Sequence, residues 1–414
     1  MTCTTHLFPS GMRLIHLPSS LPVVFIGYQI AAGSRCENPG EEGLAHFCEH
    51  ASFKGTANRR ALQVTGGIER LGGELNAYTT KQDTTYYCTV LKEHARKAFD
   101  VLTDMVFHSV YPQRELDKEK EVVCDEIASY DDSPAELIFD EFENMLFDGH
   151  PLGHNILGTA GQVRAFTTDH LRRFADRYYL PANTVLFVNG DIAVEKIVKW
   201  VESASYPLCP TEATPVDAMP SNLPSTLAQT ASPQHKVVEK NTHQAHVVIG
   251  SLSYPMFHPR HTPLLLLNNL LGGPSLNARL NASLRERRGL VYTVESTLAT
   301  YLDAGLWMAY FGCDHDDVEK CCTLVYRELQ QLRDKPLGSR QLAMAKRQLK
   351  GQIAVAMDNR EQATLDNARR FLHYGKPLDI DRLFHDIDRL TPDVLQATAA
   401  EVFDPDKLST LKFL

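Results

Sequence analysis

The chain has 414 residues, 43% apolar and 22% charged, an ordinary globular balance with length enough for two or three domains and sizeable cores. A net charge of -9 leaves no basic footprint, so nucleic acid is not an expected partner. No window of about 18 apolar residues occurs, and the N-terminal stretch lacks a basic segment followed by an apolar core, so neither a membrane span nor a signal peptide is expected.

The elements follow in chain order. "LPVVFIGYQIAAG" from Leu21 reads as a strand, and "GLAHFCEHASFKGT" at 43–56 as the helix after it. "RELDKEKEVVCDEIASYDD" at 114–132 holds no Gly or Pro and is strongly helical. "TTDHLRRFADRYYLPANTVLFV" from Thr167 reads as an N-capped helix, a proline turn and a strand. Residues 206–236 are rich in Pro, Ser and Thr without apolar periodicity, and read as a linker. Beyond it, "QAHVVIGSLSY" from Gln244 is again a strand, and "TPLLLLNNLLGG" from Thr262 a leucine-rich helix.

The second half closes on "TPDVLQATAAEVFDPDKLSTLKF" from Thr391. Thr167 and Thr391, Asp169 and Asp393, Leu171 and Leu395, Ala175 and Ala399, and Pro181 and Pro405 all pair at one offset. A duplicated α+β unit is therefore expected: 1–205, a linker at 206–236, and 237–414. The nine cysteines are scattered, odd in number and form no C-x-x-C pair. That pattern predicts free thiols and a cytoplasmic protein.

One stretch carries chemistry. His46 and His50 stand four apart, with Glu49 between them. On a helix, positions i and i+4 share a face, so both imidazoles can grip one ion while Glu49 leans over the same place. Two imidazoles and one further ligand leave zinc an open position for water, whose proton a neighbouring carboxylate can take. H-x-x-E-H is the inverted form of the zinc-peptidase motif. The third ligand is expected in the 114–132 helix. There Glu119 and Glu126 are two turns apart on one face, Glu115 lies close to it, and Val122, Val123 and Ile127 would draw Glu126 into a packed setting.

Other groupings carry less. His150 and His154 are also four apart, but Pro151 and Gly153 make that a turn. "LGGPS" at Leu271 lacks the Lys-Ser/Thr pair of a phosphate loop. "DHDD" from Asp314 reads as an exposed loop, and Cys321 and Cys322 as buried helix residues.

"HFCEHASFKGT", "GGELNAYTTKQDTTYY" from Gly72 and "EKEVVCDEI" from Glu119 together resemble the pitrilysin, or insulinase-type, family of zinc metallopeptidases in its short two-domain form. "HPLGHNILGT" from His150 and "SLNARLNASLRERRGLVYTVES" from Ser275 extend the resemblance over most of the chain. Seventy-five residues separate His50 from Glu126, as in the family pattern, and Glu119 fills its earlier glutamate.

The resemblance implies two similar α+β domains, each a mostly antiparallel sheet packed with helices. It implies one zinc per chain on His46, His50 and Glu126, with Glu49 as general base and Glu119 orienting a ligand histidine. Asn76 and Ala77 would lie on an edge strand that pairs with peptide substrates. Arg285 and Tyr292, in a second half that lacks H-x-x-E-H, would hold the substrate and its oxyanion. Cys48 stands where larger apolar residues are commoner in the motif, and its spacing turns it away from the metal. The expected function is a zinc endopeptidase or oligopeptidase, with a non-catalytic or partner-dependent subunit as the alternative. A homodimer in which Arg285 and Tyr292 of one subunit complete the other's site is expected, and a heterodimer is the second arrangement.

Overall fold

The computed structural model of the chain describes residues 3–207 and 232–414. The linker read from the sequence lies mostly outside them. The described residues form two compact units, one from 3–129, 154–207 and 356–378, the other from 130–153, 232–355 and 379–414. Each unit thus includes a segment from the other half of the chain.

The first unit is built on a sheet of β1 (Thr4–Leu7), β2 (Arg13–Pro18), β3 (Val23–Ile30), β4 (Glu74–Thr79), β5 (Thr84–Leu91) and β6 (Thr184–Gly190). Its order is β1-β2-β6-β3-β5-β4. Only β2 and β6 run parallel. Alternation assigns the two faces. Val24, Ile26, Tyr28, Leu186 and Val188 pack in the main core with Phe47, Phe99 and Leu102. Ile15, Leu17, Phe25, Val185 and Phe187 face the other way, onto Leu365, Ala368, Phe371 and Leu372 of the Arg360–Tyr374 helix. Burial on both faces explains why "VVFIGYQI" reads as a continuous apolar run instead of alternating.

The second unit holds β7 (His235–Val238), β8 (Ala245–Ser253), β9 (Val291–Thr300), β10 (Gly305–Cys313) and β11 (Ser409–Phe413) in the order β7-β11-β8-β10-β9. Here β7 and β11 are the parallel pair. Apart from β1, this is the order of the first sheet, with a parallel pair in the same place. The helices Thr168–Tyr178 and Pro392–Val402 begin after Thr167 and Thr391, and each leads through a proline turn into β6 or β11. One face packs on the His261–Gly272 helix through Leu264, Leu267 and Leu271. The other packs on Leu137, Ile138, Phe142 and Leu146 of the Pro134–Leu146 helix. Two similar sheet-and-helix domains are thus present, as the duplication implied. No helix among the described residues is long and apolar enough to cross a membrane.

Candidate metal centre

The motif helix runs from Leu44 to Ser52. Gly43 precedes it at φ 95°, a backbone that L side chains resist, and a Cβ there would meet the Leu157 carbonyl oxygen at 2.5 Å. The buried Glu37 carboxylate closes the helix start, accepting from the backbone N–H of Gly43 at 3.0 Å and of Ala45 at 2.7 Å. His154 Nε2 donates to the same carboxylate at 2.9 Å, so the turn at 150–159 braces the helix instead of supplying a ligand. Leu44, Ala45, Phe47, Cys48 and Ala51 bury the opposite face. Cys48 points into it, donating its thiol to Tyr111 Oη at 3.4 Å.

The imidazoles of His46 and His50 stand 4.6 Å apart. The Gln113–Asp131 helix brings Glu126 beside them, with His46 Nε2 at 3.7 Å from Oε1 and His50 Nε2 at 3.4 Å from Oε2. A four-coordinate zinc with bonds of about 2.0–2.1 Å separates its ligand atoms by about 3.3 Å, and each imidazole stands within tenths of an ångström of that separation from an oxygen of Glu126. His46, His50 and Glu126 form the one cluster of metal-ligating geometry among the described residues. Two imidazole nitrogens and a carboxylate suit zinc, with room left for a water.

Glu126 is not packed as the flanking valines suggested. Val123 faces the core, but Val122 is exposed, and the Glu126 side chain is 44% open. Such access is what a metal ligand at a substrate site would need. Glu115 pairs with Lys118 on the surface instead of joining the cluster.

Around the cluster, Glu119 Oε1 accepts from His50 Nδ1 at 2.9 Å, and Glu119 Oε2 pairs with Lys54 Nζ at 2.6 Å. Burial and the charge of His50 push His46 down to about 4, against the pull of Glu126, so its ring is neutral and its lone pair available. Burial would lower His50 too, but its hydrogen bonds to Glu119 and Glu126 hold it up at about 9. Burial pushes Glu49 up to about 6, opposed by the Thr79 hydroxyl, which donates to Glu49 Oε2 at 2.7 Å. A carboxylate in that range is ionised at neutral pH yet basic enough to take a proton.

Thr79 ends β4, the edge strand that carries Asn76 and Ala77. β4 pairs with β5 on one side and with no strand among the described residues on the other. His46, Glu49, His50, Asn76, Ala77, Glu119 and Glu126 therefore share the first unit. Arg285 and Tyr292 belong to the second. Arg285 is exposed near the end of a π-helical turn at Asn281–Glu286. Tyr292 is exposed on the edge strand β9 and donates its hydroxyl to Asp314 Oδ1 at 3.0 Å. Sequence reasoning did not single out Lys54, Thr79 or Glu37. Lys54 offered a signal, standing four residues after His50; Thr79 and Glu37 reach the motif helix only through the tertiary fold.

Residues 17–160 match the family model described as insulinase, peptidase family M16, and residues 165–349 match the one described as the peptidase M16 inactive domain. An uncharacterized zinc protease of Bacillus subtilis, YmxG, is 33% identical across 92% of this chain and 91% of its own length. The chain belongs to peptidase family M16. A second relative, an uncharacterized zinc protease of Streptomyces coelicolor, is 31% identical over 95% of this chain and 86% of its own. The M16 fold is matched by the crystal structure of a protease from Helicobacter pylori, with TM-score 0.89 at 20% identity over 100% of this chain and 99% of that one. A structure from Pseudomonas fluorescens described as a peptidase M16 inactive domain follows, with TM-score 0.86 at 21% identity over 100% of this chain and 98% of that one. The half without H-x-x-E-H falls largely within the region matching the inactive-domain model.

Proposed function

We propose that this chain is a zinc-dependent endopeptidase or oligopeptidase, with His46, His50 and Glu126 holding one zinc and Glu49 acting as general base. The observation that carries the proposal is the convergence of those three donor groups beside a buried carboxylate whose proton affinity is tuned towards neutrality. Bound there, zinc supplies a Lewis acid that polarises a carbonyl and lowers the pKa of water to about 7. Glu49 accepts the proton of the attacking water on the oxygen left open by Thr79, and returns it to the leaving amine. The free edge of β4 holds the substrate backbone as an added strand near Asn76 and Ala77, which favours extended peptides over any one sequence. Cleavage of a mixed peptide library, its loss on chelation and its return with zinc tests this reading. Zinc-bound protein that cleaves nothing would favour a non-catalytic or partner-dependent subunit.

We further infer a homodimer in which Arg285 and Tyr292 of one subunit face the zinc of the other, supported by the exposure of both side chains. Mixing inactive His46→Ala with inactive Arg285→Ala protein should restore activity through hybrid dimers. No recovery despite demonstrated subunit exchange contradicts it. Eight cysteines lie among the described residues and all are free, in keeping with a cytoplasmic location; Cys209 lies outside them.

A further inference from the structure

Lys54 sits just past the motif helix, its backbone N–H donating to the Ala51 carbonyl at 3.0 Å. That turn sends its side chain back to Glu119, the carboxylate that holds His50. The contact differs from an exposed ion pair, which contributes little. The Glu119 side chain is only 8% exposed, and Lys54 Nζ lies 2.6 Å from Oε2 while His50 Nδ1 lies 2.9 Å from Oε1. Each carboxylate oxygen therefore has its own donor.

We propose that Lys54 is a positioning residue for the metal centre: by occupying one oxygen of Glu119, it commits the other to His50 Nδ1. The inference rests on the zinc reading above. A carboxylate bound on one side only can swing about its terminal bond and offer either oxygen, or turn towards water. With Oε2 pinned, Oε1 stays in the plane where it accepts from Nδ1–H. That fixes the tautomer with Nε2 unprotonated, and aims Nε2 at Glu126 and the ion. The clamp matters here because it acts on the one ligand imidazole with such a partner: the buried Nδ1 of His46 has none among the described residues. Lys54 also sets a positive charge against a buried carboxylate that would otherwise face only His50.

The test is zinc affinity, measured by chelator competition on full-length protein, for wild type, Lys54→Met and Lys54→Arg. Kinetics at saturating zinc serve as a second readout. Lys54→Met keeps the stem and removes the charge, and should weaken zinc binding by about 10–100-fold, the usual cost of losing an outer partner of a metal ligand. Lys54→Arg, which can still donate to Oε2, should recover most of that loss. Activity of Lys54→Met should largely return when zinc is saturating. Unchanged zinc affinity in Lys54→Met, while His46→Ala abolishes binding, overturns the role of Lys54 and leaves the metal site standing. A loss that Lys54→Arg does not repair, accompanied by lower thermal stability of the zinc-stripped protein, shows a structural contact and overturns the proposal as well. A wild-type protein that binds no zinc overturns both readings together.

Discussion

Thr79 joins Glu49, the proposed base, to the strand that would hold substrate, through a single hydrogen bond. Losing a hydrogen bond to a charged group costs about 1.5–3 kcal/mol. Thr79→Val should therefore lower kcat by about tenfold or more, with KM and zinc content little changed, whereas Thr79→Ser should stay near wild type. Equal activity in both variants would remove Thr79 from the mechanism. His50 gives the residue scale its pH dependence. Held up at about 9 without a metal, it must lose its proton before Nε2 can bind one. Zinc affinity of the stripped protein should rise with pH and level off near 9. The same raised value makes His50 stabilise the zinc-free fold fully below its unfolded pKa of about 6.5, with that contribution lost as pH rises through 9. Melting temperatures of stripped and loaded protein between pH 6 and 9.5 should diverge as pH rises. The His46, Glu49 and His50 spacing was legible because helix periodicity is local. The hydroxyl of Thr79 was not, since it reaches Glu49 only once β4 lies against the motif helix.

At the scale of elements, the motif helix is fixed at its start by backbone conformation. Gly43→Ala places a Cβ in a left-handed backbone, at a cost of about 1–2 kcal/mol, and against the Leu157 carbonyl as well. A lower melting temperature together with weaker zinc binding is expected; full stability with normal zinc content would mean that the turn adapts. The helix and strand types around the site follow from sequence pattern. The 114–132 run has no breaker, and β3 and β8 each carry a run of apolar residues, at 23–26 and 247–249. What the pattern does not carry is packing depth. The valines beside Glu126 suggested burial, but they straddle the helix, and only Val123 turns inward.

At the scale of the molecule, the duplication was readable from helix-cap and proline chemistry at Thr167 and Thr391, because caps are set by neighbours in sequence. The destinations of the Pro134–Leu146 and Arg360–Tyr374 helices were not, because an amphipathic face does not specify which sheet covers it. In the first unit, the Arg360–Tyr374 helix also brings His373 and Arg369 to the fully buried Asp83, each 3.1 Å from Oδ2. A fragment of residues 1–205 alone would expose the sheet face of Ile15, Phe25 and Phe187 and leave Asp83 buried without Arg369 and His373. It should be insoluble or bind hydrophobic dyes, and be rescued by co-expression with 237–414. A monomeric, cooperatively folding fragment would contradict this. The central claim remains the hydrolytic centre, and its most direct test is zinc content and peptide turnover of wild type beside Glu49→Gln. The account predicts one zinc in both proteins and turnover in the wild type alone. Equal turnover in both would show that Glu49 is not the base and that the centre works by some other chemistry.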